Sequence, residues 1–174
     1  MSIKGMMRVL KQGIARYFGS WTTERDKSAL RAKVMALPIA HNYPFDVEAK
    51  LLRSIGLKPS VMLDIGANTG VYSAILEDIF ESGNLYLFEP LPHLQRSLKQ
   101  RFPKARVFDF AISDREDKQN IRVPYINGKR FDTRATFNTH TEENQTGFDE
   151  FEVRFFTLDS VARKLNFDSI GFYN

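Results

Sequence analysis

"MLDIGANTG", residues 62–70, is the stretch on which the fold turns. A short apolar run passes through an acid, Asp64, and breaks into Gly66-Ala67-Asn68-Thr69-Gly70. The run "VMLDI" (61–65) is bounded by turn residues, which suits a strand buried in a parallel sheet. Beyond the bend, Val71, Tyr72, Ile75, Leu76, Ile79 and Phe80 fall on one helical stripe that ends before Gly83-Asn84. Strand, glycine-bearing bend and helix in succession open a nucleotide-binding unit, because a residue without a Cβ lets backbone approach a ligand closely.

The alternation continues on both sides. "LYLFEP" (85–90) reads as a second strand, Leu91, Leu94 and Leu98 mark a second helix closed by Pro103, and "RVFDFAIS" (106–113) reads as a third strand. Upstream, "PFDVEAKLLRSIGL" (44–57) predicts a helix stopping at Gly56 with Pro59 beyond it. Two successive strand–helix–strand units with short connections predict an α/β protein with a doubly wound parallel sheet. Residues 114–150 are less orderly. "NIRVPY" (120–125) is a candidate strand, and residues 127–150 show neither period, which predicts an ordered loop with a mobile acidic stretch. "FEVRFF" (151–156) alternates, "TLDSVARKL" (157–165) predicts a cap and a short helix, and "SIGFYN" (169–174) begins an apolar strand inside which the chain stops.

A chain of 174 residues, 43% apolar, is one domain's worth of material, and no segment is long and apolar enough to cross a bilayer. The absence of cysteine removes disulfides, thiolate catalysis and cysteine-ligated zinc, and fits a cytoplasmic protein. His41, His93 and His140 are not at metal-ligand spacing, so no metal is expected; of the three, His41 in "AHNYPF" is the one worth testing as a base. The net charge of +4 is uneven: residues 1–35 hold eight Lys and Arg against Glu24 and Asp26, a balance of +6 that leaves −2 for the rest. Residues 1–43 form a basic arm ahead of a domain over 44–174. Within the arm Ile3, Met6, Met7, Leu10, Ile14, Tyr17 and Phe18 recur at helical spacing, largely apart from Lys4, Arg8 and Lys11. Such an amphipathic helix through residues 1–18 docks on its own domain or a partner chain, or contacts a membrane surface or nucleic acid; a cleaved organellar transit peptide is the remaining reading, since the first 23 residues lack acids.

The bend has a chemical reading. A dinucleotide site wants Gly-x-Gly-x-x-Gly to cradle a pyrophosphate, but here the spacing is Gly-x-x-x-Gly with Asp64 at the strand's end. An acid there repels a pyrophosphate and suits a cationic ligand carrying an ammonium and a sulfonium. Glu89 ends the second strand, 19 residues after Gly70, where a carboxylate accepts two hydrogen bonds from ribose hydroxyls. Together these favour S-adenosylmethionine over NAD. Taken singly, the glycine pair serves a tight turn equally well, and Glu89 ahead of Pro90 equally caps the next helix. Asp109 equally joins a buried ion pair or stands exposed on its strand, where alternation puts it opposite Phe108 and Phe110.

"LDIGANTGVYS" (63–73), "LFEPLPHLQRSL" (87–98), "FAISDRED" (110–117) and "FFTLDSV" (155–161) resemble the FkbM-type S-adenosylmethionine-dependent methyltransferases, in the same order and at similar distances. The resemblance covers about residues 45–174 and implies a Rossmann-like class I methyltransferase fold. It implies that Asp64, Gly66, Ala67, Asn68 and Gly70 line the methionine side of the cofactor, that Glu89 binds its ribose, and that Asp109 to Ile112, Ala111 among them, flank adenine. It also implies O-methylation of a small-molecule or sugar hydroxyl. The family continues its fourth strand with an Ile-Asp-Val-Glu-Gly-like segment, whereas this chain ends at Phe172-Tyr173-Asn174. The expected fold is therefore truncated at its C-terminus, its catalytic base unidentified, its open edge prone to oligomer formation, and the chain by itself inactive. A nucleic-acid methyltransferase recruited by the basic arm, and a ligand-binding domain without catalysis, stand as alternatives.

Overall fold

The structure, a computed structural model, describes Arg25, residues 27–29, Ala32, and residues 61–77, 84–167 and 172–173. The expectations for residues 1–18, His41 and the helix over 44–57 lie outside these residues. In chain order the elements are β1 (Met62–Ile65), α1 (Val71–Leu76), β2 (Leu85–Phe88), α2 (Pro92–Arg101) and β3 (Arg106–Phe108). They are followed by β4 (Ala111–Ser113), β5 (Asp117–Ile126), β6 (Lys129–Arg130), a 3₁₀ turn (Asp132–Arg134), β7 (Gln145–Thr157), α3 (Leu158–Leu165) and β8 (Phe172–Tyr173).

The first sheet is parallel throughout and ordered β3-β2-β1-β8. Its strands are largely apolar, with Asp64 buried in β1 and Arg106 exposed at the start of β3, and helices pack on both faces. Met62, Leu85 and Leu87 pack with α1 and α2, whereas Leu63, Tyr86 and Phe88 pack with Val161 and Leu165 of α3. The α/β class and the parallel sheet are those read from the sequence. Thr157 caps α3, its hydroxyl accepting from Ser160 N at 3.2 Å, and Asn166 ends the helix in the left-handed region at φ 54°. Both features match the short capped helix expected there. Among the described residues no helix is long and apolar enough to cross a membrane.

A second sheet, ordered β4-β7-β5-β6, corrects two expectations. Residues 106–113 are two strands in two sheets: the chain bends at Asp109-Phe110, where Phe110 turns onto Phe88 at 5.5 Å and Phe156 at 4.7 Å between ring centroids. The stretch over 127–150 is also not loop throughout: β6 takes Lys129–Arg130 and β7 begins at Gln145, leaving 131–144 as the connection, while the candidate strand over 120–125 lies within β5. β5 and β7 form a long antiparallel pair, from Asp117↔Phe155 to Ile126↔Gln145, and β4 runs parallel to β7 on its far side. The connection over 131–144 is tied to β5 by Arg122 and Thr136, which exchange backbone hydrogen bonds of 2.8 and 2.9 Å. The acidic stretch is held too, Arg134 pairing with Glu142.

One residue of the basic arm is placed against the domain. Lys27, in a helical turn, is 3% exposed, with Nζ 2.6 Å from Glu77 Oε2 and 4.4 Å from the Phe102 ring centroid. Burying an ammonium is tolerated where a carboxylate and an aromatic face meet it.

Candidate functional site

The loop after β1 is built by two glycines with different reasons. Gly66 and Gly70 both sit at φ +75°, which L side chains rarely adopt. A Cβ on Gly70 would fall 2.5 Å from Phe102 Cε2 and 2.7 Å from Leu98 Cδ2, so this glycine lets α2 pack under the loop. A Cβ on Gly66 would meet nothing within 4 Å, so here the backbone faces open space.

The loop's amides are turned inward. Gly66 N and Ala67 N donate to Phe88 O at 2.9 and 3.1 Å, Gly70 N donates to Ala67 O at 2.7 Å, and Asn68 N donates to Glu89 Oε2 at 2.8 Å. Four of the five loop amides therefore have protein acceptors. Arg101, pushed down in pKa by burial, donates to Thr69 O at 2.7 Å and fastens the loop from below. Asp64 is 1% exposed and accepts from the hydroxyl of Ser73, which ties β1 to α1.

Glu89 stands where β2 ends, 4% exposed. Its Oε1 accepts from Leu91 N at 2.8 Å, at the start of α2, and its Oε2 accepts from Asn68 N. The carboxylate thus caps the approach to α2 and also clamps the glycine loop. Burial raises its pKa above the ordinary glutamate value; the amides of Leu91 and Asn68 and the nearby His93 pull it down, and Asp132 adds to the rise.

A cavity of about 290 Å³ opens over the carboxyl ends of β1 and β2 and the start of β4. That is at the lower end of ligand pockets, ~300–1,000 Å³. Of the residues predicted from sequence, Gly66, Asn68, Glu89 and Ala111 line it. Asp64, Ala67 and Gly70 do not: the first is bonded within the core, Ala67 packs among the α1 residues, and Gly70 lies against α2. Asp109 points away from it, side chain 61% exposed, in an ion pair with Arg154 at 2.8 Å. It is neither the buried ion-pair member nor the exposed strand residue read from sequence, but an exposed ion-pair member at the bend between β3 and β4.

The remaining wall comes from the second sheet and its loop: Ile121, Asp132, Thr133, Ala135 and Phe137. Arg130 Nε donates to Asp132 Oδ1 at 2.9 Å and Arg130 Nη1 donates to Asp149 Oδ2 at 2.8 Å, where the Tyr125 hydroxyl also donates at 3.1 Å. His93 Nε2 lies 2.9 Å from Asp132 Oδ2, yet the ring is not aligned for a hydrogen bond and that buried nitrogen makes none. Sequence reasoning missed Asp132, His93 and Phe137. None sits in a periodic segment with a glycine or an acid at a telling distance, and the cluster exists only because β5 and β7 pair. Compared with family models, curated proteins and solved structures, the chain matches none.

Proposed function

We propose that this protein is a Rossmann-like methyltransferase that binds S-adenosylmethionine in the cavity and methylates a hydroxyl of a small molecule or sugar. The observation that carries the proposal is the position of Glu89, a buried carboxylate at the cavity wall whose oxygens, after two backbone bonds, still have lone pairs for ribose hydroxyls. The strand order β3-β2-β1-β8, which reverses beside β1, supports it, since ligands of doubly wound sheets lie at such a reversal.

The loop chemistry favours this ligand over a dinucleotide. With four of five amides already bonded inward, the loop has little left to cradle a pyrophosphate, and the acids Glu89 and Asp132 disfavour one. They suit a ligand of positive charge. The open backbone at Gly66 admits the ligand's chain, while Ile112, Ile121 and Phe137 supply an apolar wall for a flat ring. Asp64 acts at one remove, holding α1 to β1 through Ser73 rather than touching the ammonium. When bound, the sulfonium supplies an electrophilic methyl group; the chain's own contribution is to fix the nucleoside, exclude water along the apolar wall and bias the site toward cations. Calorimetry is the test: binding of S-adenosylmethionine or S-adenosylhomocysteine and none of NAD is expected. Tight NAD binding with no heat from either sulfur compound overturns the proposal.

A further inference from the structure

A second cavity, of about 210 Å³, lies where the bend at Asp109-Phe110 meets α3, and it shares no lining residue with the one at the glycine loop. Its wall is apolar: Phe108, Phe110 and Phe156, with Val161 and Leu165 of α3. The rings brace one another, Phe110 lying 5.5 Å from Phe108 and 4.7 Å from Phe156 between centroids, so the space is preformed. At ~30 Å³ per water it equals roughly seven waters, room for one branched or phenyl side chain, and its lining offers water few partners.

Two opposite charges also line this cavity. Glu116 stands just before β5 and Lys164 in the last turn of α3, both exposed. Neighbouring charges are spoken for, Asp109 by Arg154, Asp117 by Arg115 and Lys118 by Glu152. Among the described residues Glu116 and Lys164 make no ion pair or hydrogen bond, with each other or elsewhere. Ser160, on the same wall, spends its hydroxyl proton on Thr157 O at 3.0 Å and offers lone pairs. A cation with donors only, an anion with acceptors only and an apolar recess between them match a ligand that carries both charges beside an apolar group.

We propose that this cavity is a binding site for a free α-amino acid with an apolar side chain, of the size of leucine or phenylalanine. The side chain enters among the rings, the carboxylate meets Lys164, and the ammonium meets Glu116 and Ser160. An acid or an amine with the same side chain meets only one of the two charges, whereas a zwitterion meets both and brings no net charge to a neutral mouth. The inference is independent of the methyltransferase reading.

Calorimetry on the full chain with L-phenylalanine, 3-phenylpropionate and phenethylamine, which share the ring and differ in the charges, tests the assignment. L-Phenylalanine is expected to bind at about 0.1–1 mM. Each single-charge compound is expected to bind roughly 3- to 10-fold more weakly, between the worth of an exposed ion pair and that of a hydrogen bond to a charge. Lys164→Gln is expected to weaken phenylalanine by the same factor and leave phenethylamine unchanged; Glu116→Gln is expected to weaken phenylalanine likewise and leave 3-phenylpropionate unchanged. Both side chains are exposed, so both variants are expected to fold as the parent does. Saturating S-adenosylhomocysteine is expected to leave phenylalanine affinity as it was; competition between them overturns the separate site. No heat with L-phenylalanine at about 10 mM overturns the assignment, as does equal affinity for the three compounds or phenylalanine binding that both variants leave intact.

Discussion

The two sheets solve the same problem, burying apolar surface around a ligand cavity, by opposite means. In the parallel sheet the strands are three to four residues long where β1 to β3 meet, apolar on both faces and covered by helices. In the mixed sheet β7 runs for 13 residues with one face turned to solvent, its exposed Glu150 and Glu152 paired across the ladder with Arg122 and Lys118. The parallel sheet supplies the glycine loop, the clamp of Glu89 and the floor of the cavity. The mixed sheet supplies Asp132 and Phe137 on a connection that tolerates change. The cavity thus has one wall fixed in the core and the other carried at the rim.

The largest effect is expected at Gly70, where the core is least forgiving. Gly70→Ala forces a Cβ against Phe102 and Leu98 and keeps the residue at a positive φ, which together destabilise by about 3 kcal/mol. Urea melts read this directly; a loss under about 1 kcal/mol would mean that the loop yields easily and the contrast with the rim is false. Next comes Glu89→Ala, which strands the amides of Asn68 and Leu91 in the core. About 2 kcal/mol of stability is expected to go, because each unmet buried donor costs ~1–3 kcal/mol while the relief of a buried charge offsets part. An unchanged melting temperature would mean that water reaches both amides.

The pH dependence of the same residue is smaller and has a definite sign. Burial raises Glu89's pKa above its ordinary 4.5, so between the two values the folded protein binds a proton that the unfolded chain has released. Stability conferred by the parent relative to Glu89→Gln is therefore full below 4.5, falls as pH rises through that window, and levels off above it. Ligand affinity moves the other way, since a protonated carboxyl loses acceptors, and it is expected to weaken with acid at a pH above that of an ordinary glutamate. Paired melts of parent and variant across pH 4 to 8 check the first, and calorimetry the second. A difference curve that rises with pH would put the sign of Glu89's shift in error. The smallest effect is expected at Lys118→Ala, which removes an ion pair whose two side chains are each 64% exposed; less than about 0.5 kcal/mol is expected in urea melts. A loss above about 1 kcal/mol would show that the rim contributes to stability as the core does.

Which of these positions was visible in the sequence follows the same division. The unit from Met62 to Phe88 was legible because its interactions are local: an apolar strand, a glycine bend and a helical stripe each announce themselves within a few residues. The break at Asp109-Phe110 was not, since neither residue is a glycine or proline and the run on both sides is apolar enough to read as one strand. β7 was legible from Phe151 but not from Gln145, because the inward positions before Phe151 are Gln145, Gly147 and Asp149, which show no apolar alternation. Strand there depends on a partner far along the chain. Asp64 was read as facing a cationic ligand, whereas it is buried against Ser73 away from the cavity, which only the helix's position reveals. His93 and Asp132, 39 positions apart, meet only through tertiary structure.

The pairing of β8 with β1 sets a timetable for folding. Met62 first meets Leu85, 23 positions on, but its other neighbour, Phe172, is 110 positions on. Closing the longer loop from an open chain costs about 1.4 kcal/mol more in chain entropy, as three-halves RT times the logarithm of the length ratio. The β5–β7 hairpin removes about a third of that distance: once Asp117 is paired with Phe155, the 38 positions between them no longer count as slack. A mixed sheet that pairs first therefore lightens the closure that brings the fourth strand to β1, by about 0.4 kcal/mol on the same scaling.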